Sequence, residues 1–420
     1  MIDGFDFSIP GFKILEDFVA FNESIIWKIS QDYYQQKGFL AWSDNSPKIV
    51  PHKSGSNFQN ALNIVKILKK LKQETNLNSK IKFLECGAGS GRFSRHLMLA
   101  ARDEGFIDEI ELYVSDFSQK NLDDIKSQKI LSDIDGLQEG VHYHYLLLDI
   151  MQTKSQVKFD FIFLHFVFDV LGLTILKKNS KQELQELYIS SSLREDIKFS
   201  VLENDFLQAR IRRDFQWRDY DITKQSELEK KFFPLLTEFI RNKSSEQEIF
   251  YIYSALEAIQ NLFALLEPHG ILFSSDISPN QGLNQPIVGN SLAFEIDNEF
   301  LTKAVPGSYS FIMGDDKLSR LVLSPSQAVI DSIRQSFQDL YGPNNPIQEY
   351  IELESLVSNQ VEQKNCFQLK QNIEKLLKSA PYNASSLALI AKAYSVLDDN
   401  NKSEEYWNLA KSMDYWQDIS

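Results

Sequence analysis

The stretch FLECGAGSGRF, Phe83 to Phe93, packs three glycines into five residues, Gly87, Gly89 and Gly91, between an apolar run and a segment of helical pattern. Glycine loses more conformational freedom on folding than any other residue. Such density therefore needs a steric reason, either positive φ angles or close approach of a ligand to bare backbone. An apolar strand, a glycine turn and a helix in that order suit a nucleotide-type ligand at a helix N-terminus. The spacing departs from the dinucleotide pattern G-x-G-x-x-G, whose last glycine is replaced here by Arg92. Glu85, two residues before Gly87, would repel a pyrophosphate and suits an ammonium group instead.

Outward from this loop the chain alternates strand and helix. Strands are expected at Ile81–Glu85, Ile110–Ser115, Tyr143–Leu148, Phe159–His165 and Gly270–Ile277, with helices at Phe93–Arg102 and from Gln247 to Leu266. Strands this apolar, separated by helices, predict a parallel sheet covered on both faces, a doubly wound α/β fold. The segments SYSFIMGDD and LSRLVLS can pair to close the sheet. Glu85, Asp116 and Asp149 each end one of three successive strands.

In this setting E-C-G-A-G-S-G resembles motif I of the class I S-adenosylmethionine-dependent methyltransferases. The resemblance implies S-adenosyl-L-methionine as cofactor and methyl transfer as activity. It assigns the cofactor to Glu85, Gly87, Ala88, Gly89 and Gly91, with Asp116 on the ribose hydroxyls and Asp149 on the adenine amino group. Phe117, Ile150 and His165 complete the expected cofactor set. The fourth-strand edge, FLHFVFDVLG, departs from the family's Asn/Asp-Pro-Pro-Tyr type of motif and leaves His165 and Asp169, with Asp276 after the fifth strand, as candidate catalytic residues. The acceptor is not identified: a protein side chain or a small molecule fits equally. A non-catalytic methyltransferase-like interaction protein is the alternative, and a nicotinamide-dependent oxidoreductase is disfavoured by Glu85 and Arg92.

The rest of the 420 residues divides around this core. Residues 1–75 are expected as an N-terminal helical cover, with aromatic residues at helical spacing from Phe18 to Gly38, and 76–323 as the methyltransferase domain. An insertion at 177–247 contains LYISSSLREDIKFSVLEND, read as two antiparallel strands, and the basic-aromatic QARIRRDFQWRDYD, read as a solvated helix face. Residues 324–420 read as a helical tail that resembles a tetratricopeptide unit from about Asn365. Ile390, Ala391 and Tyr394 fit its first helix, and Ser403, Trp407 and Ala410 its second. Such a fragment needs a surface to dock on, either the α/β domain, a protein partner or a second copy.

Fifty-eight acidic against 44 basic residues give a formal charge of −14, which argues against general nucleic-acid binding. His142 and His144 alternate on one strand without an evident third ligand, so no metal is expected. No apolar segment suggests a membrane span. Two distant cysteines, Cys86 and Cys366, and acids where a signal peptide needs bases suggest a cytoplasmic protein.

Overall fold

The computed structural model describes residues 11–38, 41, 55–77, 79–152, 157–203, 207–241, 243–245, 247–278, 287–288, 291–314, 318–343 and 345–416. Strand β1 (Phe12–Ala20) and helices α1 (Ile25–Lys37) and α2 (Phe58–Thr75) lead into β2 (Ile81–Cys86), α3 (Arg92–Asp103), β3 (Ile110–Asp116), α4 (Gln119–Ser127), β4 (Tyr143–Leu147) and β5 (Phe159–His165). An excursion follows through β6 (Thr174–Lys178), β7 (Leu184–Arg194), α5 (Leu207–Arg210), β8 (Arg212–Asp219), α6 (Glu227–Ile240) and β9 (Ile249–Tyr251). The chain returns through α7 (Tyr253–Phe263) to β10 (Leu266–Ile277), a ribbon of β11 (Ile287–Val288) and β12 (Ser291–Leu292), α8 (Asn298–Thr302), β13 (Tyr309–Gly314) and β14 (Leu318–Ser324). Helices α9 (Gln327–Tyr341), α10 (Pro346–Glu362), α11 (Leu369–Ser379), α12 (Ala384–Val396) and α13 (Asn400–Ser412) follow.

The main sheet has seven strands in the order β13-β14-β10-β5-β2-β3-β4. From β10 to β4 the strands are parallel, and β14 runs antiparallel to both its neighbours. Residues of the central strands alternate between two cores. Leu84, Ile162 and Leu164 feed one, while Phe83, Phe161 and Phe163 feed the other. On that second face Phe83 stacks on Phe161 at 5.2 Å and Phe93 on Phe163 at 4.3 Å, which fastens α3 to the sheet directly behind the glycine loop. Each fully buried Phe contributes about 1.5–3 kcal/mol. The crossovers change direction at β2 and β5, so the loops that follow these strands open a crevice at the sheet's carboxyl edge.

The N-terminal segment departs from the expected helical cover. Phe12–Ala20 is a strand, paired antiparallel with β7, and the helix begins only after Ser24, whose side chain caps Ile26 N. Glu16 fixes this corner by accepting from Ser24 Oγ and, at 2.7 Å, from Ile25 N. The partner strand lies about 170 residues away, so its ladder leaves no local mark in the sequence. Beyond the cap α1 reaches α4, where a Cβ on Gly38 would come 2.1 Å from Asp124 Oδ2.

The excursion starts at Thr174 and builds a second sheet, β1-β7-β6-β9, with β8 along the other edge of β7. Among the described residues LYISSSLREDIKFSVLEND contributes to one strand, β7, and one of its mates is Arg212–Asp219, the segment expected to be helical. Period-2 placement of Arg213, Phe215 and Trp217 was the overlooked signal. Likewise β9 occupies the start of the helix expected from Gln247, because Ile249 and Tyr251 pair with Leu176 and Thr174 of β6. The turn-rich residues 42–54 lie outside the described residues.

Candidate functional site

The loop after β2 is held in left-handed backbone, with φ 72° at Gly87, 55° at Gly89 and 70° at Gly91. An L-residue pays about 1–2 kcal/mol for such a conformation. Space is short as well. A Cβ on Gly87 would come 2.9 Å from Val167 Cγ2, and one on Gly91 3.0 Å from Ile125 Cγ1. The adjacent strand ties the loop down from inside: Ala88 N donates to Ser115 O at 2.8 Å, Gly89 N to Asp116 Oδ2 at 2.9 Å and Ser115 Oγ to Glu85 O at 2.6 Å.

Two buried carboxyls stand behind this loop. Glu85 accepts from Ser94 Oγ, yet burial, with the nearby Asp116 charge added, pushes its pKa up to about 8. Asp116 accepts from Gly89 N through one oxygen and from Ser118 N, at 2.8 Å, through the other. Burial raises its pKa too, against the lowering effect of those amides. Desolvated carboxyls at bare backbone suit a cationic or hydroxyl-rich ligand, whereas a phosphate would meet no basic partner among them.

Opposite the loop, β5 ends on His165, and Phe166 follows with φ 54°. A bulky residue in this conformation is strained, which is characteristic of functional turns. The imidazole lies at 4.1 Å from the Phe166 ring and flat over Phe163, at 6.3 Å with 5° between planes. Its two nitrogens are shielded from solvent and have no hydrogen-bond partner among the described residues. Burial, assisted by the Arg320 charge, lowers its pKa to about 3, so the ring is neutral. Gly55 presses against it: a Cβ there would lie 1.6 Å from His165 Nε2. Asn60 Nδ2 donates to Gly55 O, and His96 Nδ1 meets Ser56 O at 2.6 Å, which fixes this N-terminal wall.

A cavity results between Gly55–Ser56, the loop from Glu85 to Ser90, and Phe93, Phe163, His165 and Phe166. Of the expected residues, the structure gathers Glu85, Gly87, Ala88, Gly89 and His165 around it, with Gly91 and Asp116 directly behind. Phe117, 45% exposed, and Asp149, also exposed, lie farther out on the same edge, and Ile150 is buried. Asp149 Oδ1 accepts from Met151 N at 2.9 Å and thereby closes its own turn.

Asp169 and Asp276, expected as catalytic candidates, are not among the residues that line this cavity. They are fully buried beside each other. Asp276 Oδ1 accepts from Val167 N at 3.2 Å and Phe168 N at 3.0 Å, holding the turn after His165. Burial raises the pKa of Asp276 to about 7, while burial and the Asp276 charge raise that of Asp169 well above the usual carboxylate range. Two adjacent desolvated carboxyls cannot both ionise readily at neutral pH, so the pair retains a proton there.

The histidines of the β4 region are engaged separately, His142 with Asp108 at 3.4 Å and His144 with Glu111 at 2.9 Å. Among the described residues no group of three or more His, Cys, Asp or Glu could hold a metal ion, and no helix is long and apolar enough to cross a membrane. The basic-aromatic segment is an edge strand in which Arg213 turns inward to Gln208 O at 2.7 Å and Trp217 lies under Lys177. Sequence reading missed Gly55, Ser56, Phe163 and Phe166. The only local signal for the first pair was a glycine just ahead of the Asn57 cap of α2.

Residues 61–292, more than half of the chain, match the family described as "Putative S-adenosyl-L-methionine-dependent methyltransferase". No curated protein matches the sequence. Among solved structures the chain is similar to a protein from Burkholderia thailandensis bound to S-adenosyl-homocysteine, with 11% identity, TM-score 0.49 and coverage of 75% of this chain and 90% of that one. A second structure, of an uncharacterized protein from Burkholderia thailandensis, is 12% identical over 71% of this chain and 73% of that one, with TM-score 0.48. The N-methyltransferase NodS from Bradyrhizobium japonicum WM9, in complex with S-adenosyl-homocysteine, is 12% identical over 70% of this chain and 100% of that one, with TM-score 0.34.

Proposed function

The chain belongs to this family of S-adenosyl-L-methionine-dependent methyltransferases, and on that premise we propose that the cavity between the glycine loop and His165 holds the methionine end of the cofactor. The donor set fits: Glu85 suits the ammonium group, and Asp116 retains lone pairs for the ribose hydroxyls after its two amide bonds. Phe117 and Ile150 would flank the adenine, with Asp149 toward its amino group. When bound, the cofactor supplies an activated methyl on a sulfonium centre, so alignment is the protein's main task.

The observation that carries the reading is His165: a neutral imidazole, unpartnered at both nitrogens among the described residues, on the cavity wall that faces the glycine loop. A group this weakly basic does not keep a proton at neutral pH. It orients an acceptor by taking a hydrogen bond from its N–H or O–H, which turns the acceptor's lone pair toward the methyl site. The acceptor belongs to the same broad class as before, a protein side chain or a small molecule, and the insertion sheet with β1 and α1 is the element we assign to shaping its approach. Transfer of labelled methyl from S-adenosyl-L-methionine to acceptors in a lysate tests this directly. Wild type should label an acceptor, and His165→Ala should lose labelling while still binding S-adenosyl-homocysteine; equal labelling by both would remove His165 from the reaction.

The remaining assignments follow the same frame. Residues 1–75, 76–323 and 324–420 act as cover, cofactor domain and tail, with the insertion and β1 working as one unit. We read α12 and α13 as one tetratricopeptide-like hairpin that docks in cis, and the protein as cytoplasmic.

A further inference from the structure

Trp416 is separated from Ser90 by 326 positions in sequence, yet its indole Nε1 donates to Ser90 O at 3.0 Å. Ser90 belongs to the glycine loop and lines the cavity. Only 2% of Trp416 is exposed, and the guanidinium of Arg92 lies 4.4 Å from its ring centroid. One turn further along α3, Arg95 covers Tyr415 at 4.3 Å, donates to its hydroxyl at 3.1 Å and donates to Ile130 O at 2.6 Å. Tyr415 in turn donates to Asp133 Oδ2 at 3.1 Å. Arg102, toward the end of the helix, donates to Tyr382 OH at 3.1 Å.

Cations in the first turn of a helix oppose the helix dipole, so Arg92 and Arg95 are not explained by helix stability. The aromatic residues of the C-terminal segment meet both guanidiniums in cation–π contacts, which strengthen as the pair is desolvated. Anchoring of the loop is divided accordingly. Ala88 and Gly89 are tied from inside by Ser115 and Asp116, whereas the carbonyl of Ser90 is tied from outside by Trp416.

We propose that the segment Tyr415–Trp416 is a positioning element of the cofactor loop, which holds Ser90 and Arg92 so that the loop is preformed. The inference rests on reading that loop as the cofactor site. Docking of the segment and occupation of the loop are then thermodynamically linked, each favouring the other by the same factor. A tail that merely packs would stabilise the fold without this reciprocity.

The test combines calorimetric titration with S-adenosyl-homocysteine and amide hydrogen exchange on the full chain. Trp416→Phe keeps a ring over Arg92 and removes the N–H, so its affinity should fall by about threefold or more, the worth of one hydrogen bond. Trp416→Ala should lose at least about tenfold. In wild type, S-adenosyl-homocysteine should slow exchange at Tyr415 and Trp416. Unchanged affinity in both variants, even with a lower Tm, or exchange at Tyr415 and Trp416 indifferent to the ligand, would overturn the proposal. Should Trp416→Ala fail to fold, Trp416→Phe and the exchange rates decide. Wild type that binds no S-adenosyl-homocysteine would instead overturn the reading of the loop itself, and this inference with it.

Discussion

The amide of Gly89 donates to Asp116 Oδ2 at 2.9 Å, so the acid that ends β3 also anchors the glycine loop that ends β2. Asp116 thus serves two purposes. Its replacement by alanine should weaken S-adenosyl-homocysteine binding by at least about tenfold, or 1.4 kcal/mol, and lower the Tm of the ligand-free protein as well, because Gly89 N and Ser118 N both lose an acceptor. Calorimetry and thermal unfolding check the two halves. Unchanged affinity in a folded variant would falsify the ribose assignment.

Glu85 predicts a pH dependence. Its folded-state pKa is raised to about 8, so the native protein holds a proton that the unfolded chain releases in the ordinary carboxylate range. The stability this contributes is fully present below that range and is lost as pH rises toward 8. Pairing with an ammonium group favours the ionised form, so ligand binding should expel the proton. Affinity for S-adenosyl-homocysteine should therefore rise between about pH 6 and 8, by at most about tenfold per pH unit, with proton release seen as buffer-dependent binding enthalpy. Asp116, also raised, contributes in the same direction, and Glu85→Gln isolates the part that belongs to Glu85. A Glu85→Gln variant with the wild-type pH profile would count against the ammonium contact.

Gly55 and His165 predict a size exchange. A Cβ at residue 55 would overlap the imidazole, so Gly55→Ala must push the ring from its place or lift the wall that covers it. Methyl transfer should fall by about tenfold or more, the order of effect of a misplaced reacting group. Adding Gly55→Ala to His165→Ala should then cost little further ligand affinity, since the space is free. Additive losses in this double-mutant cycle would show that the two residues act separately.

The carboxyl pair predicts opposite outcomes for two substitutions of Asp276. Asparagine keeps an acceptor for the amides of Val167 and Phe168 and removes one of two competing charges. Because the native pair binds a proton more tightly than the unfolded chain, wild type loses stability as pH rises toward and above 7. Asp276→Asn should thus have a higher Tm than wild type at pH 8, with the advantage fading toward pH 5. Asp276→Ala should be destabilised at both, by about 2–4 kcal/mol, as two buried amides lose their acceptor. Thermal unfolding at the two pH values distinguishes them.

The central sheet was legible because its strands are buried on both faces and read as apolar runs, and because three glycines in five residues admit few backbones. Glu85, Asp116 and His165 were legible for the same reason: each ends a recognisable strand. What failed was decided across distance. The strand character of Phe12–Ala20 depends on β7, and the wall opposite the loop depends on Gly55 lying against His165. Asp169 and Asp276 stand at strand-edge positions in the sequence, but their burial beside each other depends on the packed fold. The contact of Arg92 with Trp416 leaves no mark in the local sequence, since Trp416 lies at the far end of the described chain.

The most direct test of the central claim is the structure of the complex with S-adenosyl-homocysteine. The account predicts the homocysteine end between the Gly87–Gly91 loop and the His165 ring, its ammonium on Glu85 and its ribose on Asp116. Ligand density elsewhere in the protein, with the cavity between Gly55, the loop and His165 unchanged at saturating ligand, would contradict it.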